Sequence, residues 1–299
     1  MYPLTLTKVL LALALSSAAT AHMEQVEPAP IRSKFNLNIM SDTDIDYTMK
    51  EPLTNATFPC KGFHTLLGTP MGAPVATWAA GSQQSVTIGT QGGGQHMGGS
   101  CQVSISMDGG ANFTVLHSYV GNCVVPGAEE TVLAFRLPSD TPASDGALLS
   151  WTWMNHSGIR EYYQNCAVIT VTEAQGGSGE EEESVPFDQR PPLFVANLGN
   201  GCTTAEMADV MFPDPGPDVD VANPDAVPPI GECGTPVSIP ADAPPVDAPA
   251  ENTPVETPPA DSLPMETPVS PAPTVDGGSM PAPGLGNGRM SCSCVCDPI

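Results

Sequence analysis

Residues 148–172 read LLSWTWMNHSGIREYYQNCAVITVT. Two runs rich in β-branched and aromatic residues, 148–153 and 167–172, flank a polar segment that contains Asn, Ser and Gly. Runs of this kind, bounded by turn-forming residues, predict two strands and the connection between them. Glu161 and Tyr163 lie just ahead of the second strand, where alternate side chains point to opposite faces. The ordinary interpretation of such a tyrosine is a buried side chain with a satisfied hydroxyl group.

The same pattern recurs along the first half of the chain. Further strands are predicted at residues 85–88, 101–106, 114–120 and 131–137, and residues 107–112, MDGGAN, have the composition of a turn. No helix of normal length is predicted there. Short strands at this spacing favour an all-β fold with an immunoglobulin-like or fibronectin-like β-sandwich core and long loops.

Changes in composition divide the chain into six parts. We predict a signal peptide (1–21), a β-sandwich domain (22–174), an acidic Gly/Glu linker (175–186), a small Cys-containing appendage (187–235), a disordered tail rich in Pro, Ala, Asp and Thr (236–290) and a Cys-rich end (291–299). The first part has a leading Lys8, an apolar run at 9–15 and the small-x-small sequence Ala19-Thr20-Ala21. Cleavage after Ala21 makes the protein secreted and extracellular, with association to a cell wall suggested by the tail.

Nine cysteines in a secreted chain predict disulfides with at least one cysteine left over. We favour Cys60–Cys166 and Cys101–Cys123, the second because it would close a hairpin, and Cys202 could bridge to Cys233. Three sequons, at Asn55, Asn112 and Asn155, are compatible with N-glycosylation.

The net charge of −24, with only nine Lys and Arg, excludes several classes of partner. Nucleic acid and anionic membranes would be repelled, and no later segment is apolar for the roughly 20 residues that a membrane span needs. An uncharged polymer remains a suitable partner. A Gly-x-Ser-x-Gly nucleophile motif is absent from the sequence, and no acid and base pair for glycoside hydrolysis can be assigned.

Removal of residues 1–21 would leave His22 at the amino terminus. A terminal histidine offers its α-amine and ring Nδ1 to one metal ion, and a second histidine would complete a three-nitrogen site that suits copper. His96 is the histidine with the most distinctive surroundings, GGGQHMGGSCQ at 92–102. Its glycines would let the backbone pass close to another segment, although a flexible loop with a chance histidine explains the composition equally well.

Six blocks of sequence, taken in order, resemble the fungal lytic polysaccharide monooxygenases of auxiliary activity family eleven, which are chitin-active copper enzymes. The blocks are His22-Met23, Glu51-Pro52-Leu53, Phe58-Pro59-Cys60-Lys61, HMGGSCQ at 96–102, WTWMN at 151–155 and REYYQNCAVITV at 160–171. The chain differs from the family's usual pattern at Met97, where a glycine is usual, and in a longer stretch before Pro52.

This resemblance implies a histidine brace in which His22 and His96 bind one copper ion per chain. It implies that Tyr163 is the axial tyrosine and that Glu161 is the nearby carboxylate. The implied reaction is oxidative cleavage of chitin or a related insoluble β-linked polysaccharide at C1 or C4. It uses an external electron donor and O₂ or H₂O₂, and the enzyme is expected to act as a monomer.

Two other functions remain open at the level of the sequence. A secreted copper-binding protein for copper uptake or storage could use the same scaffold without oxygenase activity. A wall-associated structural or adhesion protein is suggested by the long Pro-rich tail, in which no carbohydrate-binding module is recognisable.

Overall fold

The computed structural model describes residues 23–90, 94–174 and 185–234. This part of the chain folds into strands, and its helical structure is limited to short 3₁₀ segments at Asp42–Asp44, Cys60–Leu66 and Phe187–Gln189. The expected all-β class is therefore confirmed. Within the same residues, no helix has the length and apolar character needed to cross a membrane.

The strands form two main sheets and a short ribbon. The larger sheet has six strands in the order β10 (Val219–Val221), β5 (Thr114–Val120), β4 (Gly99–Ser106), β7 (Ser144–Asn155), β8 (Tyr163–Thr172) and β2 (Ala76–Ala79). The smaller sheet has the order β1 (Glu24–Glu27), β3 (Gln83–Gly89) and β6 (Glu130–Arg136). The ribbon pairs β9 (Cys202–Thr203) with β11 (Ile230–Gly231).

The register of the central strands determines what meets at one edge of the larger sheet. Gly99 at the start of β4 is opposite Asn155 at the end of β7, and Trp153 of β7 is opposite Tyr163 at the start of β8. Because both pairs are antiparallel, the loop before β4 and the turn between β7 and β8 emerge side by side. His96 lies in the first of these connections, and Glu161 lies in the second.

The core lies between the two sheets. The strand β6 alternates exposed and buried residues along its whole length, which is the pattern of a strand with one face in the core. Its Leu133 and Phe135 pack in one cluster with Val86 and Ile88 of β3 and with Leu149, Trp151 and Trp153 of the larger sheet. The described residues therefore form the sandwich that the strand pattern predicts.

The other face of the larger sheet is covered by loops. The strand β7 is buried on both faces, because Leu148 packs with Ile31 and Phe63 while Met154 packs with residues of the 194–212 segment. Among the described cysteines, three disulfides form, Cys60–Cys166, Cys101–Cys123 and Cys202–Cys233, which are the pairings expected from the sequence.

Residues 185–234 pack against the larger sheet. The strand β10 adds to its edge in parallel with β5, and Arg190 donates to the carbonyl of Leu116 at 3.0 Å while its guanidinium lies 2.6 Å from the Asp218 carboxylate. The hydroxyl of Ser100 on β4 donates to the carbonyl of Val210 at 2.8 Å. These contacts hold the segment against β5 and against β4, the strand that follows the His96 loop.

Several expectations concern residues that lie outside the described part. These are the signal peptide, His22, most of the acidic linker, the Pro-rich tail and the Cys-rich end.

Candidate metal centre

The His96 loop has a defined backbone despite its glycines. His96, Met97 and Gly98 take positive φ angles of 44°, 59° and 98° in succession, a conformation that glycine tolerates and other residues adopt only when the surroundings hold them. Hydrogen bonds from the side chain of Gln95 help to fix this backbone conformation. Its Nε2 donates to the carbonyls of Val125 at 3.1 Å and Ala128 at 2.5 Å, and its Oε1 accepts from a third backbone group in the same facing loop.

The imidazole of His96 is oriented by the turn that follows β7. Nδ1 lies 2.7 Å from the carbonyl oxygen of Ser157, and the amide of Ser157 donates to the carbonyl of His96 at 3.0 Å. Because a carbonyl can only accept, Nδ1 carries a proton, and in the neutral imidazole Nε2 is then the nitrogen with the lone pair. Nε2 is buried and has no hydrogen-bond partner among the described residues. The described residues therefore fix the ring through Nδ1 and leave Nε2 without a hydrogen-bond partner.

The close approach of the two segments requires glycine at position 158. Gly158 has a φ of 94°, and a Cβ atom there would lie 2.8 Å from Nδ1 of His96 and 3.1 Å from its Cε1. Arg160 closes the turn from the other side, since its Nη2 donates to the carbonyl of Gly158 at 2.7 Å and its Nη1 donates to the carbonyl of Asn155 at 2.9 Å. The turn is thus packed directly against the ring.

Tyr163 and Glu161 form a hydrogen-bonded pair. The phenol of Tyr163 donates to Oε2 of Glu161 at 2.5 Å, the length of a strong hydrogen bond to a carboxylate. Tyr163 is only 2% exposed. Burial, together with the hydrogen bond and the charge of Glu161, raises the pKa of the Tyr163 phenol well above its ordinary value. The phenol therefore keeps its proton and directs it at the carboxylate.

Trp153 connects the histidine with the tyrosine. Its ring centroid lies 4.8 Å from that of Tyr163 and 6.1 Å from that of His96. Its Nε1 donates to the carbonyl of Gly98 at 3.2 Å, which fixes the indole against the His96 loop. His96, Trp153, Tyr163 and Glu161 consequently occupy one continuous region at the edge of the larger sheet.

The chain enters this region at its amino-terminal side. Met23 is 1% exposed and belongs to the same core cluster as Trp153 and Tyr163. The amide of Gln25 donates to Oδ1 of Asn165 at 2.8 Å, and Glu24 is opposite Gly89 of β3. Burial raises the pKa of Glu24, whose carboxylate accepts from the hydroxyl of Ser33. Residue 23 is therefore firmly anchored, whereas His22 lies outside the described residues.

Copper suits the donor that the structure provides. An imidazole whose Nδ1–H is held by a carbonyl and whose Nε2 is free is the usual arrangement of a metal-ligating histidine. Among the residues that the structure describes, no group of three or more His, Cys, Asp or Glu side chains could hold a metal ion. Of the expected nitrogen ligands, the described part supplies His96.

The other three described histidines are engaged elsewhere. His64 contacts the carbonyl of Pro59, His117 lies 3.2 Å from the Asp220 carboxylate, and His156 lies 2.9 Å from that of Asp209.

Sequence reasoning missed the groups that orient the expected site residues. Ser157 acts through a backbone carbonyl, for which no side-chain pattern gives a signal, and Gly158 is one glycine among many. Asn155 and Arg160 stand in two successive blocks of the family resemblance, 151–155 and 160–171, but spacing alone gave them no role. The sequon at Asn155 indicated glycosylation instead.

Comparison with known proteins supports the family resemblance. No family model matches the chain. An AA11 family lytic polysaccharide monooxygenase A from Aspergillus fumigatus is 40% identical over 209 residues, which are 69% of this chain and 88% of the relative. Two further relatives, AA11 family lytic polysaccharide monooxygenase B from Aspergillus fumigatus and a lytic polysaccharide monooxygenase of the same family from Aspergillus oryzae, are each 34% identical. The matches cover 74% and 72% of this chain and about half of each relative, 55% and 52%.

Solved structures show weaker similarity. A cellulose-active polysaccharide monooxygenase from M. thermophila aligns with a TM-score of 0.30 at 16% identity, over 43% of this chain and 65% of that one. HiLPMO9B aligns with a TM-score of 0.33 at 20% identity, over 61% of this chain and 82% of that one.

The sequence match to the AA11 family lytic polysaccharide monooxygenase A, 40% identity over 69% of this chain and 88% of that relative, establishes that this chain belongs to the AA11 family of lytic polysaccharide monooxygenases.

Proposed function

We propose that the secreted chain, beginning at His22 after cleavage of residues 1–21, cleaves chitin or a related insoluble β-linked polysaccharide by oxidation. One copper ion would be held by the α-amine and Nδ1 of His22 and by Nε2 of His96, with the phenol of Tyr163 beside it. When bound, copper supplies the one-electron chemistry that O₂ or H₂O₂ needs in order to oxidise a carbon–hydrogen bond.

The observation that carries this proposal is the state of the His96 ring. Its Nδ1–H is donated to the carbonyl of Ser157 at 2.7 Å, and its buried Nε2 has no partner among the described residues. A histidine that served only the core would be expected to satisfy both nitrogens. The ring is instead oriented to present a lone pair, which is what a copper ligand must do.

Tyr163 and Glu161 would hold a proton in a defined hydrogen bond next to the ion. The phenol is buried and directed at Oε2 of Glu161, so it remains neutral and its oxygen keeps a fixed position. The carboxylate accepts the hydrogen bond of the phenol and so keeps that proton directed away from the phenol oxygen. The pair suits a reaction that consumes electrons and protons together, and copper storage alone would not require it.

The surroundings of His96 suit a polymer that cannot enter a pocket. Met97, adjacent to the histidine, is 60% exposed, and Ile159, in the turn that packs against the ring, is 78% exposed. Large exposed apolar side chains next to a proposed metal site favour contact with the flat face of a sugar ring. The chitin assignment itself is supported by the family resemblance.

Copper binding and product analysis test the proposal together. Isothermal titration of the mature protein should give one copper ion per chain, and chitin incubated with copper and ascorbate should release oligosaccharides oxidised at C1 or C4, identified by mass spectrometry. Cellulose and other β-linked glycans serve as comparison substrates. Hydrolytic products alone would contradict the proposal, and tight copper binding without turnover on any glycan would indicate a copper-binding protein.

A variant with one additional residue ahead of His22 provides the matched control. It keeps every side chain but converts the α-amine of His22 into an amide, which cannot bind copper in the same way. We expect this variant to lose both brace-type copper binding and oxidative activity. Retention of both would show that the α-amine of His22 is not a ligand and would contradict the proposed brace.

A further inference from the structure

Asn155 uses its whole side-chain amide inside the turn that follows β7. Its Nδ2 donates to the carbonyls of Ser157 and Ile159, both at 2.8 Å, and its Oδ1 accepts from the amide of Glu161 at 3.3 Å. The two carbonyls can only accept and the backbone amide can only donate, so the orientation of the side-chain amide is fixed. Asn155 is 1% exposed.

These three hydrogen bonds connect both halves of the candidate metal centre. The carbonyl of Ser157 that accepts from Asn155 is the same group that accepts from Nδ1 of His96. The amide that donates to Asn155 belongs to Glu161, whose carboxylate accepts from the phenol of Tyr163. One side chain therefore contacts the group that orients the histidine and the residue that orients the tyrosine.

The backbone of Asn155 is equally constrained. Asn155 is opposite Gly99 in the β4–β7 ladder, and Gly99 lies three residues after His96 in the sequence. The carbonyl of Asn155 accepts from Nη1 of Arg160 at 2.9 Å. A Cβ atom at Gly99 would lie 3.1 Å from the Cα of Asn155, so the two strands meet closely at this point. Asn155 is thus held by the sheet while its amide holds the turn.

We propose that Asn155 is a positioning residue for the copper site proposed above, on which this inference rests, and that its sequon stays unglycosylated in the functional protein. An N-linked glycan is attached to Nδ2 and replaces one of its two hydrogens. Both hydrogens are donated within the turn, and the buried atom has no route for a sugar chain. The same atom cannot carry a glycan and assemble the site.

The other two sequon asparagines provide a contrast. Asn55 and Asn112 are both exposed. Asn112 donates from Nδ2 to the carboxylate of Asp108 at 2.8 Å, which leaves its second hydrogen free of described partners. The fold therefore opposes glycosylation specifically at Asn155.

Glycopeptide mapping of the unaltered protein tests the modification directly. The mature chain is secreted from a eukaryotic host, the copper-binding fraction is isolated, and its N-glycans are removed enzymatically in ¹⁸O water so that each formerly occupied asparagine is marked. We expect the peptide that contains Asn155 to be unmarked. A glycan on Asn155 in that fraction would overturn the inference.

Substitution tests the positioning role. Asn155→Asp keeps the shape but removes both donors, Asn155→Gln moves the amide by one methylene group, and Asn55→Gln is the matched control at an exposed sequon. All are made in a host without N-glycosylation. Both Asn155 variants should bind copper about 10- to 100-fold more weakly and change the Cu(II) electron paramagnetic resonance spectrum, while the control keeps the wild-type values.

A spectroscopic measurement without metal completes the test. The ¹⁵N spectrum of His96 in the metal-free protein reports which ring nitrogen carries the proton, and the Asn155 variants should lose the single tautomer of the wild type. A folded variant with wild-type copper affinity, paramagnetic spectrum and tautomer would refute the positioning role. Wild-type protein without a brace-type copper spectrum would instead refute the proposed function. If neither variant folds, glycan occupancy of Asn155 in the unaltered protein remains the test: a glycan in the copper-binding fraction would overturn the inference.

Discussion

Replacing Gly158 by alanine should move the imidazole of His96. The residue has a φ of 94°, and the new Cβ atom would lie 2.8 Å from Nδ1 and 3.1 Å from Cε1 of the ring. An unstrained contact between such atoms is about 3.5 Å. The ring or the turn must therefore shift by roughly 0.7 Å at Nδ1, and the hydrogen bond from Nδ1 to Ser157 must lengthen or bend.

Two separate costs are expected from this substitution. Alanine in a left-handed conformation loses about 1–2 kcal/mol, which corresponds to roughly 2–8 °C in Tm for a domain of this size. Displacement of the ring adds a steric cost to stability and, separately, a loss of copper affinity, because disturbing a partner of a ligand typically weakens metal binding about 10- to 100-fold.

Gly68→Ala separates the two costs. Gly68 also has a left-handed φ, 80°, but nothing lies within 4 Å of the Cβ position there. When Tm is measured by calorimetry on metal-free protein, where copper cannot contribute by mass action, Gly158→Ala should lose at least as much stability as Gly68→Ala, because its Cβ also collides with the imidazole. Only Gly158→Ala should weaken copper binding in a competition titration. Equal copper affinities for the two variants would refute the assignment of His96 as a ligand held by this turn.

Three further outcomes are expected. Glu161→Gln should lower oxidative turnover about 10- to 100-fold and leave copper affinity near the wild-type value, because Glu161 acts on Tyr163; a larger loss of affinity than of turnover would contradict this. Peptide mapping during turnover should find sulfoxide on Met97 before Met207, although the two are 60% and 58% exposed, whereas H₂O₂ without copper should oxidise both alike. Burial lowers the pKa of His64 below its usual 6.5, so the stability it contributes is present above that pH and is lost as pH falls; His64→Gln should flatten the decline of Tm in mild acid.

The sequence predicted the strands that carry their own hydrophobic pattern. All six predicted strands exist, and β5 has the predicted bounds. The strands β1 and β2 were missed because EQVE and ATWA are short and are defined by their partners: β1 pairs with β3, and β2 lies parallel to β8. Pairing between distant segments is a property of the folded sheet and leaves little trace in a four-residue window.

The site was predictable only where side chains carry the chemistry. His96, Glu161 and Tyr163 could be named from motif and resemblance, and the structure brings Tyr163 and Glu161 into contact and connects them to His96 through Trp153. The carbonyl of Ser157 could not be named, since every residue has one. Its role depends on a turn geometry that arises from the register of β7 with β4 and from the donors that converge on the turn.

The contacts of the turn also show why residues 185–234 belong to the same structural unit as the site. The carbonyl of Glu161 accepts from Nδ2 of Asn197 at 3.0 Å, Arg160 donates to the carbonyl of Ala205 at 2.9 Å, and His156 contacts the Asp209 carboxylate. Three consecutive stretches of this segment thus hold three different residues of one short turn. Because this turn contacts His96 through Ser157 and Tyr163 through Glu161, the segment supports the geometry of the candidate centre.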